Sequence, residues 1–207
     1  MSNLFKIIVI SSPNFKKSEA RTVTRLFESG LERFHLRKPD HPTERISHLL
    51  DEIPKEFHSR IIMHRAFELM KDYDLGGYHH RSYEKLRKTS GLRSRSLHKA
   101  SELEIETDIL DYVFLGPVFP SISKSGHKPK MSLPILRKTL TKFDSKAKRP
   151  LVYALGGIRK NKLSTIIEAG FDGVSLLGSV WGKPDPVRAF KEFTTSLNNY
   201  DRSKYST

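Results

Sequence analysis

There is no cysteine among the 207 residues. That excludes a disulfide framework, a thiolate metal site and a cysteine nucleophile. No apolar run reaches 18 residues, so the sequence offers no candidate transmembrane helix. The opening MSNLFKIIVI has a short apolar run but no small-residue cleavage site. It reads as a first strand rather than a signal peptide, and the expected location is the cytoplasm. No linker, solenoid repeat or low-complexity block interrupts the chain. Acidic side chains are the scarce charge: 23 Asp and Glu against 37 Lys and Arg leave a net charge of +14. Much of the excess falls in 81–99 and 124–149. Such a balance favours anionic partners, whether nucleic acid, a membrane surface or phosphorylated metabolites. No basic segment is interleaved with aromatics, however, and no RNP-like or zinc-finger spacing is present.

What the chain does have is rhythm. Apolar runs begin near Ile7, Arg33, Arg60, Gly76, Gly91, Tyr112, Leu151 and Val174, which gives eight candidate strands. Stretches with helical spacing lie between most of them. Ser18 is placed to cap the first helix and Gly30 to end it. Residues 42–53 start on proline and carry apolar side chains at 46, 49, 50 and 53. Residues 82–88, 132–143 and 160–170 continue the pattern, and 185–197 starts with Asp185 as cap and Pro186 after it. Strand and helix in alternation imply a parallel sheet. Eight such units predict a single (β/α)8 barrel over 1–198, followed by a polar tail over 199–207.

Four histidine-bearing segments close four successive runs: RFHLRK (33–38), RIIMHR (60–65), GGYHHR (76–81) and GLRSRSLH (91–98). In a (β/α)8 barrel the C-terminal strand ends converge on one mouth, where the chemistry sits. His35, His64, His79 and His98 are therefore the candidate proton carriers, since imidazole titrates near pH 6.5. A plainer reading stands beside each. His35 can be a core histidine bonded to backbone, and His64 a surface residue at a strand end. His79 and His80 point to opposite faces, so at most one of them faces the mouth. His41, His48, His58 and His127 read as solvated. No His-x-His or HExxH spacing marks a metal centre. Trp181 is expected to pack at the exit of the eighth strand, and Asp111 and Asp172 to serve as turn or cap residues.

Two glycine segments, ALGGI (154–158) and GVSLLGSVWG (173–182), fall at the seventh and eighth runs. Barrel loops at that place commonly form a phosphate site, because glycine lets backbone N–H groups approach the oxygens. Gly156, Gly157, Leu177, Gly178 and Ser179 are the expected phosphate contacts.

FHLRK (34–38), GGYHH (76–80), SLH (96–98), DYVFLGPVFPSISK (111–124), ALGGI and GVSLLGS, in this order, resemble the thiamine phosphate synthase family. That family includes the thiazole tautomerase (TenI) branch. The resemblance implies a TIM barrel acting in thiamin biosynthesis on a thiazole phosphate. Two activities follow from it. A synthase couples a pyrimidine diphosphate to the thiazole phosphate, releasing diphosphate with Mg²⁺. A tautomerase moves a proton on a thiazole carboxylate phosphate without a metal. Carried over by position, Arg37, Ser96, Ser121, Ser123 and Lys124 match the anion-binding cluster; the family's next lysine falls on Pro39, with Lys38 beside it as the substitute, and Arg95 joins Arg37 as a carboxylate ligand.

The metal-binding Asn-Asp pair of the synthase falls on Met63 and His64, and only Glu84 is acidic near the second metal position. His35 replaces the usual glutamine, as the tautomerase reading prefers, whereas Pro117 stands where that branch has a histidine. The favoured expectation is metal-independent proton transfer with no cofactor; Mg²⁺ enters only with the synthase reading. The expected partners are small phosphorylated thiazole or pyrimidine metabolites, with a homo-oligomer left open. A non-catalytic binder of thiamin intermediates or of nucleic acid is the remaining alternative.

Overall fold

The computed structural model describes residues 5–104, 109–120, 131–145 and 149–205. Eight strands close into one parallel barrel in sequence order. They are β1 (Lys6–Ile10), β2 (Arg33–Leu36), β3 (Ile61–Met63), β4 (Gly77–His80), β5 (Leu92–Leu97), β6 (Tyr112–Leu115), β7 (Leu151–Leu155) and β8 (Gly173–Leu176). Every strand begins within one residue of its predicted start. No described helix is long and apolar enough to cross a membrane.

Among the described residues six α-helices accompany the strands: α1 (Glu19–Glu28), α2 (Thr43–Asp51), α3 (Leu133–Asp144), α4 (Leu163–Glu168), α5 (Gly178–Trp181) and α6 (Pro186–Tyr205). Asp185 caps α6 as predicted, its Oδ1 accepting the Val187 and Arg188 amides at 2.9 and 3.1 Å. Ser18 precedes α1 but makes no side-chain cap bond. Gly30 leaves α1 at φ +93°, the left-handed geometry that glycine tolerates at a helix end.

The helix expected over 82–88 does not form. Its backbone groups are claimed by the barrel wall: the Arg87 amide donates to His80 Nε2 at 2.9 Å, and the Glu84 carbonyl accepts from the Arg95 guanidinium. Seven residues with these competing bonds cannot meet the cost of helix nucleation.

Strand alternation sorts the side chains into two cores. Ile8, Ile10, Tyr112, Phe114 and Tyr153 fill the barrel interior. Val9, Phe34, Leu36, Val113, Val152 and their neighbours pack outward against Val23, Leu26, Phe27, Leu136 and Phe190. Gly173 makes room inside: a Cβ there would come within 2.6 Å of the Tyr153 ring. Trp181 does pack at the strand-8 exit, donating Nε1–H to the Ile10 carbonyl at 2.9 Å and meeting Phe34 edge-on. Asp111 and Asp172 lie where expected, at the N-terminal ends of strands. Asp111 accepts the Arg93 amide, and Asp172 accepts the Val152 amide and pairs with Arg149, each at 2.7 Å.

Candidate functional site

The C-terminal strand ends surround a cavity of about 640 Å³. The parity that fills the barrel with Ile10 and Phe114 also sends His79, Ser94 and Ser96 inward. His64 and His98 sit just beyond β3 and β5 on the same parity. The cavity floor and one wall carry His64, His79, Ser96 and His98; the opposite wall carries Gly156, Gly157, Leu177, Gly178 and Ser179. Thus three predicted histidines and all five predicted phosphate contacts line one space. Arg37 lines it as well, exposed just beyond β2.

Hydrogen bonds fix the floor. Tyr112 Oη lies 2.8 Å from His35 Nε2, and His35 Nδ1 lies 2.8 Å from His64 Nε2. His79 Nδ1 meets Ser94 Oγ at 2.7 Å and its Nε2 meets Ser96 Oγ at 2.8 Å. The His64 and His79 rings stack at 4.2 Å. His35 is fully buried beneath them with both nitrogens engaged; it does not line the cavity, and its hydrogen bond positions His64. His98 differs. Its ring is exposed to the cavity, and its Nδ1 lies 3.3 Å from the Gly116 carbonyl. A carbonyl only accepts, so in the neutral ring Nδ1 carries the proton, and among the described residues nothing hydrogen-bonds the Nε2 lone pair.

Two predicted ligands point elsewhere. Lys38 follows the opposite parity to Arg37 and leaves the barrel interior. Its Nζ is buried against Glu19 Oε1 and Oε2 at 2.7 and 2.8 Å and the Ser12 carbonyl at 2.9 Å. It clamps the β1–α1 connection and faces away from the cavity. Arg95 alternates with the inward Ser94 and Ser96, so it lies on the outer wall, bonded to the Glu84 carbonyl. His79 and His80 do take opposite faces; His80 is buried outside and holds the 81–90 segment. His58, expected in solvent, is buried with Nε2 on the Leu50 and Ile53 carbonyls at 3.1 and 3.0 Å. Ser121, Ser123, Lys124 and His127 lie outside the described residues. The sequence reading passed over Arg65 and Arg81, which also line the cavity. Their signal was present: each directly follows a strand-end histidine, as Arg37 follows His35 by two.

Burial shapes the titration of the floor. It drives His35 and His64 well below 6.5, with neighbouring imidazoles adding to the effect. It pushes His79 down to about 3, helped by the charges of His80, Arg37 and Arg95. The folded protein therefore refuses protons that the unfolded chain accepts near pH 6.5. Stability is complete above that pH and falls as pH drops below it, by about 1.4 kcal/mol per pH unit for each imidazole held neutral. In chelator-containing buffer, urea unfolding at pH 5.0 should be easier than at pH 7.5 by roughly 2 kcal/mol per such group. His79→Gln should flatten that slope; an unchanged slope contradicts the assignment.

Residues 7–180 match the thiamine monophosphate synthase family (TMP-TENI). The chain belongs to this family. A thiamine phosphate pyrophosphorylase from Bacteroides thetaiotaomicron is 31% identical and superposes with a TM-score of 0.79, covering 94% of this chain and 98% of that one. The thiamine-phosphate synthase of Caldicellulosiruptor saccharolyticus is 27% identical over 198 residues, 90% of this chain and 87% of the relative. That of Streptococcus suis is 33% identical over 93 residues, which span 45% of this chain and only 39% of the relative's length.

The resemblance tied Mg²⁺ to one of the family's two reactions. Mg²⁺ demands hard oxygen ligands in octahedral array, usually including a carboxylate. Among the described residues no Asp or Glu lines the cavity; its donors are imidazole nitrogens, hydroxyls and guanidinium groups. That donor set does not fit Mg²⁺.

Proposed function

We propose that this member of the thiamine monophosphate synthase family binds a thiazole carboxylate phosphate and shifts one proton on it, as a thiazole tautomerase does. The observation that carries this reading is a cavity with imidazoles where a magnesium enzyme needs carboxylates. The phosphate lies against the Gly156–Gly157 and Leu177–Ser179 segments, where the first amides of α5 have no intrahelical acceptor. Arg37 faces the carboxylate, for which a guanidinium is suited. His98 Nε2 takes a proton from one position of the thiazole and returns it to another. No bond between heavy atoms changes, so no leaving group needs stabilising. Ser121, Ser123 and Lys124 remain proposed ligands on the strength of the family resemblance.

A synthase reading is favoured by a different observation. Relatives that align over most of both chains carry the synthase or pyrophosphorylase name, and Arg37, Arg65 and Arg81 supply the positive charge a diphosphate would meet. Purified protein assayed for both reactions, with and without EDTA, separates the two. The proposal expects tautomerisation that survives chelation and no pyrimidine–thiazole coupling. Coupling that requires Mg²⁺ overturns it.

The phosphate position has its own test. Ser179→Asp places a carboxylate where the phosphate is proposed to sit. The loss of inorganic phosphate or thiazole phosphate affinity should be at least about tenfold, or ~1.4 kcal/mol, by calorimetry. Unchanged affinity moves the phosphate elsewhere. Gly157 is a poor probe by comparison. At φ +66° any Cβ is strained, and it would meet the Pro120 carbonyl at 2.3 Å, so a substitution there perturbs the loop as well as the ligand.

A further inference from the structure

We propose that His35, His64 and His79 form a transition-metal site of the zinc class at the floor of the cavity. This goes beyond the proton-transfer reading and does not depend on it, since His98 is not one of the three. The three residues are spaced 29 and 15 apart in sequence, which is why no motif announces them. The barrel brings one ligand atom from each within 4.8 Å of the others.

Two physical features support the site. The first is distance. A tetrahedral ion with bonds of about 2.0–2.1 Å holds its ligand nitrogens about 3.4 Å apart. His35 Nδ1 and His64 Nε2 now share a hydrogen bond at 2.8 Å, so they part by roughly half an ångström while His79 turns out of its stack on His64. The second is the outer layer. Metal-bound imidazoles usually donate their other N–H to a fixed acceptor. With Nδ1 on the metal, His35 Nε2–H donates to Tyr112 Oη; with Nε2 on the metal, His79 Nδ1–H donates to Ser94 Oγ. Both partners are already in place, at 2.8 and 2.7 Å. The His35 Nδ1–His64 Nε2 hydrogen bond holds one proton, and metal binding moves it to His64 Nδ1, the tautomer that frees both nitrogens for the ion.

The ligand class follows from the donors. Nitrogen-only ligation selects Zn²⁺, Co²⁺, Ni²⁺ or Cu²⁺ over Mg²⁺ and Ca²⁺. His64 and His79 line the cavity while His35 lies below, so the fourth position of a tetrahedron opens into the cavity, as in catalytic zinc sites. Arg37 nearby opposes a dication, which sets the expected affinity in the micromolar range. An anion in the cavity offsets that charge.

The test uses the full chain stripped with chelator and returned to chelator-free buffer. Titration with CoCl₂ should give the visible d–d bands of four-coordinate Co²⁺, saturating at one ion per chain. Equilibrium dialysis with Zn²⁺ should give the same stoichiometry, and Zn²⁺ but not Mg²⁺ should raise Tm. His64→Ala, at the partly exposed rim, should lose the spectrum and at least about 100-fold in affinity; Tyr112→Phe should weaken binding about 10-fold through the outer layer. His98→Asn should bind Co²⁺ as the parent does. Wild type that binds no Co²⁺ below roughly 1 mM overturns the site, as does His64→Ala that binds like wild type, the mark of adventitious surface histidines. Because none of these readouts is activity, a failure here leaves the proton-transfer reading intact, and the reverse also holds.

Discussion

Replacing His98 by asparagine is expected to lower tautomerase turnover by about 10²–10⁴-fold, the usual contribution of one positioned imidazole to acid–base catalysis. The side chain can still place a hydrogen-bond donor near the Gly116 carbonyl, 3.3 Å from Nδ1 in the parent, but it has no nitrogen lone pair to accept a proton. The loss should therefore appear in kcat, with KM little changed, as for an interaction made only in the transition state. Arg37→Ala should do the opposite and raise KM, since its proposed role is to hold an anion in both states. EDTA should leave the rate nearly unchanged. Undiminished turnover in His98→Asn removes His98 from the chemistry, and loss of activity on chelation that Mg²⁺ restores gives the synthase reading first place.

The largest effect on stability is expected at a residue away from the cavity. Lys38 and Glu19 form an ion pair with side chains 0% and 2% exposed. Burial pulls the ammonium's pKa down, and the bond and charge of Glu19 hold it up. Lys38→Met leaves the carboxylate buried and uncompensated, which should cost about 3–5 kcal/mol. The pair as a whole is another matter: two charges taken out of water gain little over well-packed apolar side chains. The double variant Glu19→Leu/Lys38→Met should therefore recover most of the loss. Urea midpoints of the three proteins decide it. A single variant within about 1 kcal/mol of the parent means that water reaches Glu19 when its partner goes.

The architecture was almost entirely legible in the sequence, because apolar runs of strand length and helical spacing between them leave few alternatives to a closed parallel barrel. The site was legible where alternation could be counted from a firm strand. His79 inward and His80 outward follow directly. The same count would have placed Arg95 outside, since it alternates with Ser94 and Ser96, but a resemblance by residue kind suggested otherwise. Lys38 fails for a related reason. A lysine next to a motif position is adjacent in sequence yet points to the other side of the wall. His58 lies in a short turn with no periodicity to reveal its burial. The 82–88 segment carries helical spacing, but its fate was decided by bonds to His80 and Arg95, which no local pattern contains. The histidine cluster is the converse: three strands supply it, and only closure of the barrel brings it together.

The cladding of the cylinder is uneven. Between β3 and β4 the connection holds only a 3₁₀ turn over Phe67–Met70, and between β4 and β5 it forms no helix. Of the three outward side chains of β5, Arg93 and Arg95 are partly exposed and Leu97 alone is buried and apolar. Elsewhere α1, α2 and α6 bury leucine, valine and phenylalanine against the strands. Local opening follows the places where least apolar surface holds the backbone closed. The strands that carry His79 and lead to His98 are therefore the ones with the thinnest apolar cladding, and amide exchange is expected to be faster there than under α1, α2 and α6.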